Sequence, residues 1–203
     1  MCARYEVETS PDLLARELEA AVQGDIPPRA TIAPTDVAPA LIAGPQGERW
    51  LVPMKFGWPP SMPKERIHLN TRSESAARTE GAAEALAERR CLLPAHAFHE
   101  WSGPKGKRAH HLLAKAGGEG PALFTMAGLY LPPEADVPAR FVILTTAASR
   151  DVRPFHHRMP LVVPPDLRAR WLDASEDDPE GLLSRVRHAD APRMLDRARP
   201  SDD

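Results

Sequence analysis

Between residues 90 and 147 the chain reads RCLLP (90–94), AFHEW (97–101), HHLLA (110–114), ALFTMAGLY (122–130) and RFVILTTA (140–147). Each run has the length and the apolar, β-branched or aromatic content of a strand. Working outward, ERWLVPMKFG (48–57) predicts a strand running into the proline-rich turn WPPSMP, and RMPLVV (158–163) predicts one more. Helices flank this strand-rich middle. SPDLLARELEAAVQ (10–23) has Ser10 to cap it, Pro11 at the first helical position and Gly24 to stop it. SESAARTEGAAEALAERR (73–90) is a second helix, weakened by one glycine. PDLRARWLD (165–173) and a stretch near 178–187 also read as helical, and residues 27–39 as a proline-rich connection. Strands and helices do not alternate regularly, which disfavours a doubly wound parallel sheet. The expected fold is α+β, with a mostly antiparallel, barrel-like β-sheet core and flanking helices. Residues 1–187 are expected to form a single domain and 188–203, polar and charged, a flexible C-terminal tail.

Composition narrows the class. The chain has 203 residues, of which 42% are hydrophobic and 27% charged, enough for one real core. Its 23 prolines favour turns and interrupted elements over a helical bundle. The sequence contains no apolar run long enough to span a bilayer, and MCARYEVETS lacks a signal-peptide core, so a soluble cytoplasmic protein is expected. The two cysteines, Cys2 and Cys91, argue against a disulfide framework and exclude a four-cysteine zinc site. A net charge of −2 does not point to a broad nucleic-acid surface. Any such contact would be local, through a few arginines in a cleft.

Four segments could carry chemistry. Removal of Met1 would leave Cys2 with a free α-amine beside its thiol. Such a 1,2-aminothiol attacks an aldehyde through the amine and then closes a five-membered thiazolidine ring through sulfur; the plainer reading is a cysteine with no role. In HLNTRSES (68–75), Asn70, Arg72 and Glu74 alternate, so in an extended chain they share a face and could line one cleft. The alternative is a polar strand end and helix cap. In AFHEW, Glu100 stands between aromatic neighbours that would desolvate it and suit it to general-acid work. An outward-facing glutamate on an amphipathic strand is the other reading. In PFHHRMPLVV (154–163), His156 or His157 could shuttle protons. With His96 and His99 they could instead bind a metal, although their spacing matches no zinc signature.

In order, MCAR, NTRSE, RCLLPAHAFHEW, LTTAAS and HHRMP resemble the SOS-response-associated peptidase family, the SRAP domain. Its members begin Met-Cys-Gly-Arg and carry N-A-R-x-E, R-C-L-x-P-A-x-G-F-Y-E-W, Thr-Ala-Ala and H-x-R-M-P segments. The resemblance covers residues 2 to about 173. It implies an abasic-site processing protein acting on single-stranded DNA, in which Cys2 forms a covalent thiazolidine with the ring-opened sugar. Asn70 would position the Cys2 amine, Glu100 would assist ring opening, and His156 would be the second acid/base. Arg4 and Arg72 would hold phosphates, with Trp58 and Thr145 lining the same site. No metal or cofactor is implied, and the family is described as autoproteolytic, able to expose its cysteine. A monomer is expected. The other enzyme reading is an N-terminal-nucleophile cysteine peptidase with His156 as its base. Ala3, Thr31, His96, Ala97 and His99 depart from the family pattern, while Cys2, Asn70, Glu100 and His156 keep to it.

Overall fold

The computed structural model describes residues 2–60, 66–104, 106–117, 122–135 and 137–197. In chain order its elements are β1 (Tyr5–Glu6), α1 (Pro11–Glu17), β2 (Ala21–Val22), β3 (Thr31–Ile32), β4 (Val37–Ala43), β5 (Arg49–Phe56) and β6 (Asn70–Arg72). Then come α2 (Ala82–Glu88), β7 (Arg90–Ala95), β8 (Ala97–Ser102), β9 (Ala109–Lys115), β10 (Phe124–Leu131) and β11 (Arg140–Ala147). The last are β12 (Arg158–Pro160), α3 (Arg168–Leu172), α4 (Pro179–His188) and β13 (Met194–Asp196). The five runs between 90 and 147 are thus β7 to β11. Among the described residues no helix is long and apolar enough to cross a membrane.

The fold is α+β and mostly antiparallel. The larger sheet runs β12-β11-β10-β7-β4-β5-β2, and a short parallel pairing of β11 with β5, Arg140 opposite Lys55 and Phe141 opposite Phe56, closes a barrel-like ring. Inside it, Phe56 and Phe141 stack with ring centroids 5.0 Å apart. Tyr5 meets Phe56 edge-on at 6.0 Å, tying β1 to the same core. The smaller sheet runs β13-β9-β8-β1-β3. A single residue, His96, separates β7 in one sheet from β8 in the other. Its backbone N–H donates to Glu6 O at 2.8 Å, and its Nδ1 accepts from the Glu8 N–H at 3.0 Å. The crossing residue is therefore locked to the N-terminal segment.

Tertiary packing reshapes several of the expected elements. Helix α1 begins as read, with Ser10 accepting from Leu13 N–H and Pro11 in the first turn, but it ends at Glu17. Ala21–Val22 pairs in parallel with β5 instead of continuing the helix, and Gly24, at φ +85°, ends that strand. The proline-rich connection hides the start of β4, in which Pro39 lies opposite Pro53 of β5. The two missing N–H groups thus fall at one place in the ladder, which is how a paired strand tolerates both. In the second helix Gly81, at φ +71°, separates a 3-10 turn at Ala76–Arg78 from α2. Within the expected tail, α4 extends to His188 and β13 pairs antiparallel with β9. Residues 198–203 of that tail lie outside the described residues.

Candidate active site

The start of the chain is drawn in by β1, which pairs on one side with β3 and on the other with β8, Tyr5 opposite Phe98. The His99 N–H donates to Arg4 O at 3.0 Å and continues the ladder toward Cys2. Cys2 is fully buried, with Sγ 3.6 Å from Arg4 O. Burial pushes its thiol well above the ordinary range, and the negative charge of Glu100 pushes it further. Glu100, in β8, is only 2% exposed and so shares the interior with the thiol whose ionisation it opposes.

Asn70 opens β6, which pairs in parallel with β11, Asn70 opposite Ile143 and Arg72 opposite Thr145. Its Oδ1 is buried and accepts no hydrogen bond among the described residues. An orphaned buried acceptor costs about 1–3 kcal/mol, which a donor placed beside it would relieve. Asn70 and Arg72 line a cleft of about 540 Å³ together with Trp58, Pro60, His68 and Leu131. Trp58 is nearly buried and is fixed there by Nε1 donating to Arg140 O at 3.2 Å. Arg4 is exposed and lies 5.9 Å from the Trp101 ring centre.

Glu74 does not join Asn70 and Arg72 in that cleft. The strand ends at Arg72, and Glu74 turns to Arg158, whose Nη1 and Nη2 donate to its two oxygens at 2.7 and 2.8 Å. Arg158 Nη2 also donates to Thr145 O at 2.6 Å. The hydrogen bonds from Arg158 pull the Glu74 carboxyl down to about 2. Thr145 is fully buried; it donates to Thr71 O at 3.4 Å and braces β6 against β11 from within. The same clamp sets the histidines. His156 is half-buried, and its Nδ1 lies 3.0 Å from the Arg158 backbone N and 3.1 Å from Arg158 O. The exposed His157 ring lies 4.4 Å from that of His156, whose charge, first, and those of Arg158 and Arg72, further, pull His157 below its ordinary value.

Geometry therefore gathers Cys2 with Glu100, Asn70 with Arg72 and Trp58, and His156 with His157, the latter within electrostatic reach of Arg72. The metal alternative finds no such gathering. His96 Nδ1 serves Glu8, His99 Nδ1 lies 2.7 Å from His110 Nε2, and no group of three or more His, Cys, Asp or Glu is placed to hold an ion among the described residues. Sequence reasoning missed the Arg158–Glu74 clamp. Both residues stood inside quoted motifs, but nothing in either motif signals that they meet.

The two-sheet frame closed by a barrel-like ring has known relatives. The family model described as SOS response associated peptidase (SRAP) matches residues 1–197, and the chain belongs to that family. Abasic site processing protein YoqW of Bacillus subtilis is 27% identical over 206 residues, covering 96% of this chain and 90% of that protein. Abasic site processing protein HMCES of Gallus gallus is 29% identical over 171 residues, 70% of this chain and 51% of that one. Among solved structures, a Bordetella bronchiseptica protein superposes with a TM-score of 0.74 at 22% identity, over 96% of this chain and 98% of that one. A Bacteroides thetaiotaomicron protein gives 0.72 at 18% identity, over 90% and 86%. At these identities the structural likeness establishes the fold.

Proposed function

We propose that this protein processes abasic sites in single-stranded DNA by covalent capture through Cys2, after loss of Met1. The observation that carries the reading is the enclosed Cys2 thiol with the buried Glu100 carboxyl in the same interior. Glu100 donates a proton to the ring oxygen of the closed sugar and frees its aldehyde. The Cys2 amine adds to the aldehyde carbon, water leaves, and an imine forms. The thiol then adds to the imine carbon while its proton passes to nitrogen, closing the thiazolidine. A thiol kept protonated by burial suits this order, since the amine reacts first.

Asn70 is the residue that orients the amine, its unpaired Oδ1 accepting an amine N–H. His156 serves the further proton transfers. Arg4 and Arg72 hold flanking phosphates and Trp58 packs against the strand in the cleft. Thr145, being buried, supports that wall without touching DNA. The protein works as a monomer without metal or cofactor. The cysteine-peptidase reading needs a thiolate poised by an imidazole, and burial of Cys2 opposes that ionisation.

The test is incubation with an abasic single-stranded oligonucleotide, followed by a denaturing gel and intact mass. A heat-stable adduct carrying Cys2 at its amino terminus is expected. Turnover of peptides with no adduct on abasic DNA would replace this reading with the peptidase.

A further inference from the structure

The smaller sheet carries three side chains that the chemistry above does not use. Ser102 ends β8, His111 lies in β9 and Asp196 ends β13. Ser102 Oγ is 2.7 Å from His111 Nε2, and His111 Nδ1 is 2.7 Å from Asp196 Oδ2. The carboxylate is itself held, Oδ1 accepting from the Leu112 N–H at 3.1 Å. The imidazole packs on Phe155 with ring centroids 4.4 Å apart.

Strand register produces this alignment. Glu100 is opposite His111 and Ser102 opposite Ala109, so Ser102 and His111 are diagonal neighbours on one face of the β8–β9 pair. Asp196 is opposite Leu113 and reaches His111 on that same face from the other side. With Nδ1–H directed at the carboxylate, Nε2 presents its lone pair to the serine hydroxyl. A nucleophile in hydrogen-bond reach of a base, with the base oriented by a third group, is the arrangement of acyl-transfer sites, which are recognised by geometry rather than chain order. A chain of bonds that only fastened β13 to the sheet would not need the serine. The Leu112 N–H and the His111 Nδ1–H already anchor Asp196.

We propose that Ser102, His111 and Asp196 form a second, serine-based acyl-transfer site that accepts small activated esters. Ser102 is half-buried, and Gly103 and Pro104 beside it are exposed, so a small acyl donor has an open approach. Ser102 Oγ attacks the ester carbonyl carbon as its proton moves to His111 Nε2. The tetrahedral adduct collapses, the C–O bond to the leaving group breaks, and His111 returns the proton to the departing alcohol. Water, activated by the same imidazole, then releases the acid and restores Ser102. Asp196 holds the ring and stabilises the imidazolium that forms in each half.

The site is tested on the full chain with p-nitrophenyl acetate and with a fluorophosphonate, whose phosphorus takes the serine oxygen and releases fluoride. Ester hydrolysis above buffer is expected, with the phosphonyl group mapped by peptide mass to Ser102. Ser102→Ala should abolish both, and His111→Gln should slow both about 10²-fold or more, the scale of a lost general base. Asp196→Asn should also slow hydrolysis while leaving the melting curve near that of the parent. Absence of an adduct, an adduct on any other residue, or labelling undiminished in His111→Gln would overturn the proposal. If His111→Gln fails to fold, Ser102→Ala decides alone, since it removes only one oxygen. None of these readouts involves abasic DNA, so they stand or fall apart from the function proposed for Cys2.

Discussion

Replacing Arg158 with alanine should destabilise the protein by about 2–4 kcal/mol. The Arg158 side chain is 11% exposed and that of Glu74 35%. Hydrogen bonds to charged groups contribute about 1.5–3 kcal/mol net. Because Glu74 is partly solvated, the paired interaction is discounted to about 1–2 kcal/mol for screening. Thr145 O keeps the bond from the Ser73 N–H at 2.9 Å but loses the one from Arg158 at 2.6 Å. That loss and the missing packing of the arginine stem add about 1–2 kcal/mol. For a chain of this size each kcal/mol moves the melting temperature by about 2–4 °C, so a drop of about 5–15 °C is expected in thermal melts followed by circular dichroism. Arg158→Lys, which keeps the charge but not the fork, should fall between. The effect carries a pH signature. Glu74 falls from an ordinary 4.5 to about 2 in the folded state, so its contribution is complete above pH 4.5 and is lost as pH drops toward 2. The gap between parent and Arg158→Ala should narrow over that window. An Arg158→Ala protein melting within about 2 °C of the parent at neutral pH would refute the clamp.

Cys2→Ala should abolish the heat-stable DNA adduct on denaturing gels, whereas Cys91→Ala, lacking a thiol in the strand core, should keep it; persistent crosslinking by Cys2→Ala would end the mechanism. Glu100→Gln should slow adduct formation about 10²-fold or more in time courses while leaving DNA affinity nearly unchanged, and an open-chain aldehyde should restore much of the rate. With roughly two to four phosphates neutralised, the log–log salt slope of single-strand binding should be about −1.5 to −3. Arg4→Ala and Arg72→Ala should each flatten it in fluorescence-anisotropy titrations, and a much steeper slope would disprove a local site.

Strand periodicity is local, so the runs from Arg90 to Ala147 and the α+β class were readable directly from the residues. What escaped was set by partners far along the chain. Ala21–Val22 follows good helix-forming sequence and becomes a strand because an edge of β5 is available. Met194–Asp196 looks like a polar tail and pairs because β9 presents an open edge. The site divides in the same way. Motifs named Cys2, Asn70 and Glu100, but no spacing could say that Glu74 would leave Asn70 and Arg72 for Arg158, or that Thr145 would be interior. The Ser102–His111–Asp196 alignment depends on two strand registers at once, and a linear reading holds neither.

The lock between His96 and the N-terminal segment has a consequence for how the protein is born. Glu8 donates to His96 across 88 positions, and β1 has no neighbour in β8 until Phe98 exists. A ribosome adding about 5–20 residues per second takes several seconds or more to make that stretch. Throughout that interval β1 can pair only with β3, and its β8 neighbour is missing. In the finished protein Cys2 is fully enclosed. Enclosure of Cys2 and closure of the smaller sheet are thus timed by the position of β8 in the chain.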